Sequence, residues 1–287
     1  GIMNNANNLA ANASGYKTNA YGMFSTTEGR ETKAGYVAHA EGFKTVSSGT
    51  ASHSEGFQTT APGEYSHTEG NGTLAVGRQS HSEGQYTRAS GECSHAEGHY
   101  TAASQHASHS EGQDTSASGT QSHAEGYNTI ASGQASHAEG YGDVDKKTEA
   151  KGKASHAEGY KTTASADYSH AEGHSSISSA IASHTEGIAS TASGNYSHAE
   201  GANTRSEARA SHAEGNSTTA TNDNAHAEGI YSEASGVGSH AEGGTTAAKG
   251  NYSHAEGQDT QAMGVTSHAE GYNTTASGNN SHAEGYN

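Results

Sequence analysis

Along this 287-residue chain the motif Ser-His-Ala-Glu-Gly, or a close variant, repeatedly sets a histidine and a glutamate two residues apart. An imidazole nitrogen and a carboxylate oxygen so placed suit three kinds of chemistry. They can ligate a borderline divalent metal, exchange a proton, or join the adjacent serine in a nucleophilic site. The motif histidine recurs every fourteen residues from His39 to His137 and, after one step of nineteen, every fourteen from His156 to His282. That regularity argues against catalysis. Catalytic sites are singular and concave, whereas these groups appear eighteen times in phase, so no enzyme activity is expected.

The rest of the repeat must position these groups, and its consensus, S-H-A-E-G-Y-x-T-T-A-S-G-x-x, is well represented by Ser122 to Ala135 and Ser267 to Asn280. Thr or Ser follows the histidine by six residues (Thr45, Thr129, Thr274), Ala or Ser by eight (Ala61, Ala131, Ala276), and usually Gly by ten (Gly63, Gly133, Gly278). Small residues thus alternate, and a period of two is the signature of a strand. A helix would place glycines in successive turns at about 1 kcal/mol each without an apolar stripe to compensate. Fourteen residues divide instead into two short strands and two tight turns, with glycine expected at corners of positive φ. Coils of this kind stack in register as a parallel β-roll, each strand pairing with its equivalent one repeat away. Ser, Ala and Gly then face a thin interior while His and Glu share the outer face. At roughly 4.8 Å per strand, eighteen such rungs make a rod of about 85 Å.

Composition leaves no other route to order. Only 29% of residues are hydrophobic, Trp is absent, and Leu occurs only as Leu9 and Leu74, a composition that by itself resembles disorder. The formal charge of −17 would move to +4 if all 21 histidines were protonated, so no nucleic-acid partner is expected. The single Cys93 excludes an intrachain disulfide framework. No apolar run suffices for membrane insertion, and the start at Gly1-Ile2-Met3 has no basic stretch leading into an apolar one. With its stop directly after a motif at Asn287, the chain reads as a segment of a longer one. Within it, residues 1–35 are expected to hold degenerate repeats, with one residue lost near Lys33-Ala34-Gly35. Residues 36–140 and 156–287 hold regular repeats, residues 141–155 carry a five-residue insertion, and all form one continuous solenoid.

Over residues 12 to 287 the repeat resembles the head repeat of trimeric autotransporter adhesins of the YadA type, whose unit runs roughly N-S-V-A-I-G-x-x-S-x-A-x-G. Its Ser-His-Ala-Glu-Gly form is closest to variants in tail-fibre and tail-spike proteins of phages and prophages of Gram-positive hosts. The resemblance implies an all-β, left-handed parallel β-roll, a homotrimer, and a place on a virion tail fibre or the extracellular cell surface. A thin roll also buries little apolar area, which independently favours lateral support by identical copies. The function implied is a rigid shaft for host attachment; the alternative is a module whose outer face binds carbohydrate or another surface multivalently. Where the adhesin unit has Val and Ile, this chain has His and Glu, for instance His123 and Glu125. A hydrophobic seam between symmetry mates would become a polar one.

The polar ladder is represented by His39 and Glu41, His53 and Glu55, His123 and Glu125, His137 and Glu139, His156 and Glu158, and His268 and Glu270. A structural role is expected, with inter-chain or inter-rung His to Glu hydrogen bonds satisfying both groups. No cofactor is required, metal ions on the ladder being the alternative. Glutamate partners gained on assembly are expected to raise the folded histidine pKa above about 6.5, giving stabilisation that fades as pH rises through the raised value. The insertion gathers Asp143, Asp145, Lys146, Lys147, Lys151 and Lys153, read as a solvated loop or as a contact for an anionic host-surface glycan or receptor. Aromatic residues after the motif glycine, such as Phe43, Phe57, Tyr127 and Tyr272, are expected to stack on one another, or alternatively on sugars.

Overall fold

A computed structural model describes residues 3–287, and among them there are strands but no helix. Two compact units, one running to Lys147 and the other from Thr148 to Asn287, are built on the same plan. Each is a parallel β-solenoid. In the first unit, five-residue strands begin at the motif histidine, as in His39–Phe43, His53–Phe57 and His109–Gln113. They alternate with two-residue strands such as Val46–Ser47 and Ser116–Ala117. Every strand type pairs in parallel with its equivalent, so that His81 lies beside His95, Glu83 beside Glu97 and Ala89 beside Ala103. The second unit repeats this, with His212 beside His226 and Ala220 beside Ala234. The N-terminal copies join the stack as expected: Asn12 pairs with Thr26, and Thr26 with His39. That last step is thirteen residues rather than fourteen, which places the missing residue in the turn between Ala34 and His39.

The interior is assembled from methyl and hydroxyl groups. Ala40, Ala61, Ala96 and Ala131 in the first unit and Ala157, Ala192 and Ala269 in the second are fully buried, together with columns of Ser and Thr. The motif serine is held by its own turn, Ser66 Oγ donating to the Gly63 carbonyl at 2.7 Å and Ser122 Oγ to that of Gly119 at 2.7 Å. Such local bonds offer the buried hydroxyl a partner without interrupting the ladder. The threonine six residues after the motif histidine depends on a neighbour. Thr59, Thr87 and Thr115 share hydrogen bonds of 2.7–2.8 Å with Ser54, Ser82 and Ser110. Where alanine replaces that serine, as at Ala40, Ala96 and Ala124, the hydroxyls of Thr45, Thr101 and Thr129 have no hydrogen-bond partner.

Glycine plays a different part from the one expected. The two corners of each rung do sit in the left-handed region, but mostly on other residues: Lys44, Gln58, Tyr86 and Asp114 at one, Tyr65, Gln79, Cys93 and Gln121 at the other. Inter-rung hydrogen bonds hold them there, the N–H of Gln58 meeting the Phe43 carbonyl at 2.8 Å and that of Gln79 the Glu64 carbonyl at 2.8 Å. Such a conformation costs a non-glycine residue about 1–2 kcal/mol, which the ladder bond offsets. The motif glycine sits within the strand because the rungs approach too closely for a side chain. A Cβ on Gly229, whose φ is +105°, would lie 2.1 Å from the Gly243 carbonyl oxygen.

Three outcomes follow for stability measured by denaturant unfolding. Gly229→Ala is expected to lose about 2–3 kcal/mol. Gly244→Ala, whose Cβ would meet nothing nearer than the Gln258 Cγ at 3.8 Å, should change stability by less than about 0.5 kcal/mol. Ala96→Ser, which supplies the missing partner of Thr101, is expected to gain about 0.5–1 kcal/mol.

Candidate functional site

The repeated strand positions its chemistry by simple alternation. Ser and Ala turn inward, so the intervening His and Glu emerge together on the opposite face. In the first unit the rings of His39 to His137 form one column, with successive centroids 4.6–4.9 Å apart and planes within 16° of parallel. In the second, His156 to His268 stack at 4.7–4.8 Å. His282 ends that column edge-on, at 82° to His268.

Beside each imidazole column runs a carboxylate column. Nε2 of His39, His53, His123 and His137 lies 3.4–3.7 Å from Oε2 of Glu41, Glu55, Glu125 and Glu139, and His268 is 3.9 Å from Glu270. Glu158 pairs in register with Glu172 beneath the His156 column. At the terminal rung, where His282 has left the stack, the contact closes to a hydrogen bond of 3.0 Å, with Glu284. Within the single chain, Nε2 of His39, His53, His123 and His268 is buried without a hydrogen-bond partner, so these four make no inter-rung bond to glutamate, and the inter-chain bond also expected belongs to the assembled state. Ring stacking and strand spacing hold the imidazole too far from its own glutamate.

Within the single chain this geometry lowers the histidine pKa values. His53, His81, His109 and His123 in the first unit, and His170, His198, His212, His240 and His254 in the second, all fall below 6.5. Desolvation is the largest cause and adjacent histidines of the stack the next, while the glutamates only partly counter them. A proton on one ring sits a single strand spacing from the next ring, so like-charge repulsion favours the neutral column.

The insertion is split between the units. In the first, Asp143 Oδ1 accepts the N–H groups of Asp145 at 3.0 Å and Lys146 at 2.9 Å, forming a tight polar turn, and Val144 is 90% exposed. In the second, Lys151 pairs with Glu149 at 2.5 Å, and the Lys153 N–H donates to Asp167. Sequence reading missed an open cleft of about 540 Å³ in the first unit, where Val144 and Lys147 face Tyr100, Asp114, Tyr127 and Asn128. No repeat pattern marks this site, because Val144 and Lys147 belong to the one lengthened turn. The aromatic residues after the motif glycine do stack rung on rung: Phe43 on Phe57 at 5.1 Å, Tyr127 on Tyr141 at 4.8 Å and Tyr272 on Tyr286 at 4.8 Å.

Because these folded histidine pKa values lie below the unfolded value of about 6.5, the unfolded chain binds more protons in the interval between them. The neutral column's contribution is thus complete above about pH 6.5 and is lost as pH falls through the lowered values. Thermal melts followed by circular dichroism should show the midpoint falling on acidification from pH 7.5 to 5. A midpoint that rises over that range would contradict the lowering and point instead to glutamate partners gained on assembly.

Comparison with known proteins agrees with this architecture. The YadA head domain repeat matches residues 110–136 and 124–143 in the first unit and 255–281 and 269–287 in the second. No curated protein matches the chain. The matched stretches are similar to YadA head repeats, and they have the same fourteen-residue register, buried alanines and outward His and Glu as the rungs around them.

Proposed function

We propose that this chain is a structural shaft segment of a surface fibre, a phage tail fibre or a related adhesin, acting as a spacer in host attachment. Repeats of the YadA head type imply an adhesin-like surface protein with a β-solenoid. The observation that carries the spacer reading is the uniformity of the rungs: the same small interior, the same polar outer face and the same register recur throughout each unit. Repetition sets reach, and specificity is left to loops, tips or flanking segments. The motif serine supports a structural rather than a catalytic role. Its hydroxyl is internal, as at Ser122, 1% exposed and donating to Gly119, so it faces away from the histidine column.

The proposed assembly is a homotrimer on the extracellular or virion surface, in keeping with the thin interior, which offers each chain little apolar burial of its own. A binding role along the shaft is the second reading, favoured by the cleft beside Val144, where Tyr100 and Tyr127 offer ring faces and Asp114 and Asn128 offer hydrogen-bonding groups to a sugar.

Removing residues 53–94, three whole repeats, separates the readings and leaves the cleft-lining residues in place. A spacer should shorten by about 14 Å in electron micrographs and bind host cells as before. Graded loss of cell binding with each repeat removed would instead favour multivalent recognition by the repeated face. Light scattering is expected to give three times the chain mass.

A further inference from the structure

Basic residues are spread unevenly along the chain. Residues 1–46 hold four Lys and Arg against three Glu, a balance of +1, whereas residues 47–287 hold ten against 28 acidic residues, a balance of −18. Three of the four early cations meet in one place. Lys17, Glu31 and Lys44 occupy the left-handed corner in successive rungs, the N–H of Glu31 bonding to the Tyr16 carbonyl and that of Lys44 to the Arg30 carbonyl, both at 2.8 Å. Lys33 stands on the adjoining short strand beside Val46. These five residues line an open cleft of about 430 Å³ in the first unit. Two observations point to a negatively charged ligand. The cleft's one carboxylate is already engaged, Glu31 Oε1 lying 3.6 Å from Nε of Arg30, while Lys17, Lys33 and Lys44 form no ion pair among the described residues. Aromatic rings also hold the cations in place. Lys17 Nζ lies 5.3 Å from the Tyr16 ring centroid and Lys44 Nζ 5.2 Å from that of Phe43, with the Arg30 guanidinium 5.5 and 5.3 Å from the same two rings. Cations fixed in this way lose less freedom when they meet a ligand.

We propose that this cleft binds an acidic polysaccharide of the uronic-acid class, its carboxylates paired with Lys17, Lys33 and Lys44. Ammonium groups act as point charges and suit singly charged carboxylates, whereas phosphate favours the guanidinium fork, and the nearest one, Arg30, is taken up by Glu31. The aliphatic lysine stems and Val46 supply an apolar floor for the C–H faces of sugar rings. Corner residues two rungs apart stand roughly 9–10 Å from each other along the axis, so the site spans only a short stretch of such a chain. Charge on the rest of the molecule selects among polyanions. A balance of −18 beyond residue 46 repels a stiff duplex or an anionic membrane lying along the rungs, while a flexible polysaccharide can touch three rungs and leave the others. The site lies apart from the Val144 cleft, and the proposal stands whichever way the spacer test falls.

The test titrates the whole chain with soluble polygalacturonate at neutral pH and low salt, followed by calorimetry. Binding is expected, and it should weaken by about tenfold or more when salt is raised to screen the lysines. Lys17→Gln, Lys33→Gln and Lys44→Gln together should lower affinity by about tenfold or more. Glutamine already occupies the same corner at Gln58, and far-ultraviolet circular dichroism checks that the strands persist. Arg88→Gln, Arg205→Gln and Lys249→Gln remove the same charge elsewhere and should change affinity by less than about twofold. Fully methyl-esterified polygalacturonate and poly-glutamate, which lack the charge and the sugar respectively, should bind at least about tenfold more weakly. Polygalacturonate that fails to bind, either control polymer binding as tightly, or the distant triple variant losing as much affinity overturns the proposal. Should the cleft variant not fold, the two control polymers and the distant variant still decide it.

Discussion

Strands in each unit lie one backbone hydrogen-bond spacing apart, and in parallel register that spacing brings every side chain against its own counterpart. The interior must then be filled by residues that pack on copies of themselves without excess volume, and alanine, serine and threonine meet this condition where leucine would not. Where the backbones of neighbouring rungs come closest, even a methyl group is excluded, which fixes glycine at Gly98, Gly112 and Gly229. The outer face obeys the same rule with a different result. Flat imidazoles gain from being stacked face to face, whereas carboxylates at that distance repel by roughly 1 kcal/mol per neighbouring pair in water. The two columns side by side therefore combine a favourable stack with an unfavourable charge row.

Stability in such a structure is collective. Each rung contributes few apolar atoms but a full set of backbone hydrogen bonds, each worth about 0.5–1.5 kcal/mol net, and each rung supports only its neighbours. The hydroxyl chemistry inside fits this picture. Serine at positions 54, 82 and 110 completes a hydrogen bond that alanine at 40, 96 and 124 leaves open. The core thus tolerates imperfect satisfaction at many rungs because no single rung is decisive.

The fold was largely legible in the chain, since a strict fourteen-residue period and an alternation of small residues leave few architectures. The one-residue slip near Lys33 and the inward placement of Ser122, Ala124 and Thr129 follow directly from that pattern. Three features were not legible, each for a reason that lies between rungs. The sign of the histidine shift within a single chain depends on ring-to-ring distance and desolvation, neither of which a linear motif reveals. The cleft at Tyr100 and Asp114 depends on how one longer turn folds over its neighbours. The corners were misassigned because glycine is the usual occupant of left-handed backbone, yet here the hydrogen bonds of residues such as Gln58 and Gln79 impose that geometry on any side chain.

Those corners have a wider consequence. Lysine, glutamine, tyrosine, aspartate and asparagine all occupy the same left-handed position in successive rungs, as at Lys44, Gln58, Tyr86, Asp114 and Asn128. The backbone there is indifferent to chemistry. Such a column is a display lattice of evenly pitched sites, on which substitutions can accumulate and alter charge, aromaticity or polarity while the architecture beneath stays constant. A lineage pressed to change its exterior has that freedom at the corners of the rungs, where drift in composition need not disturb assembly.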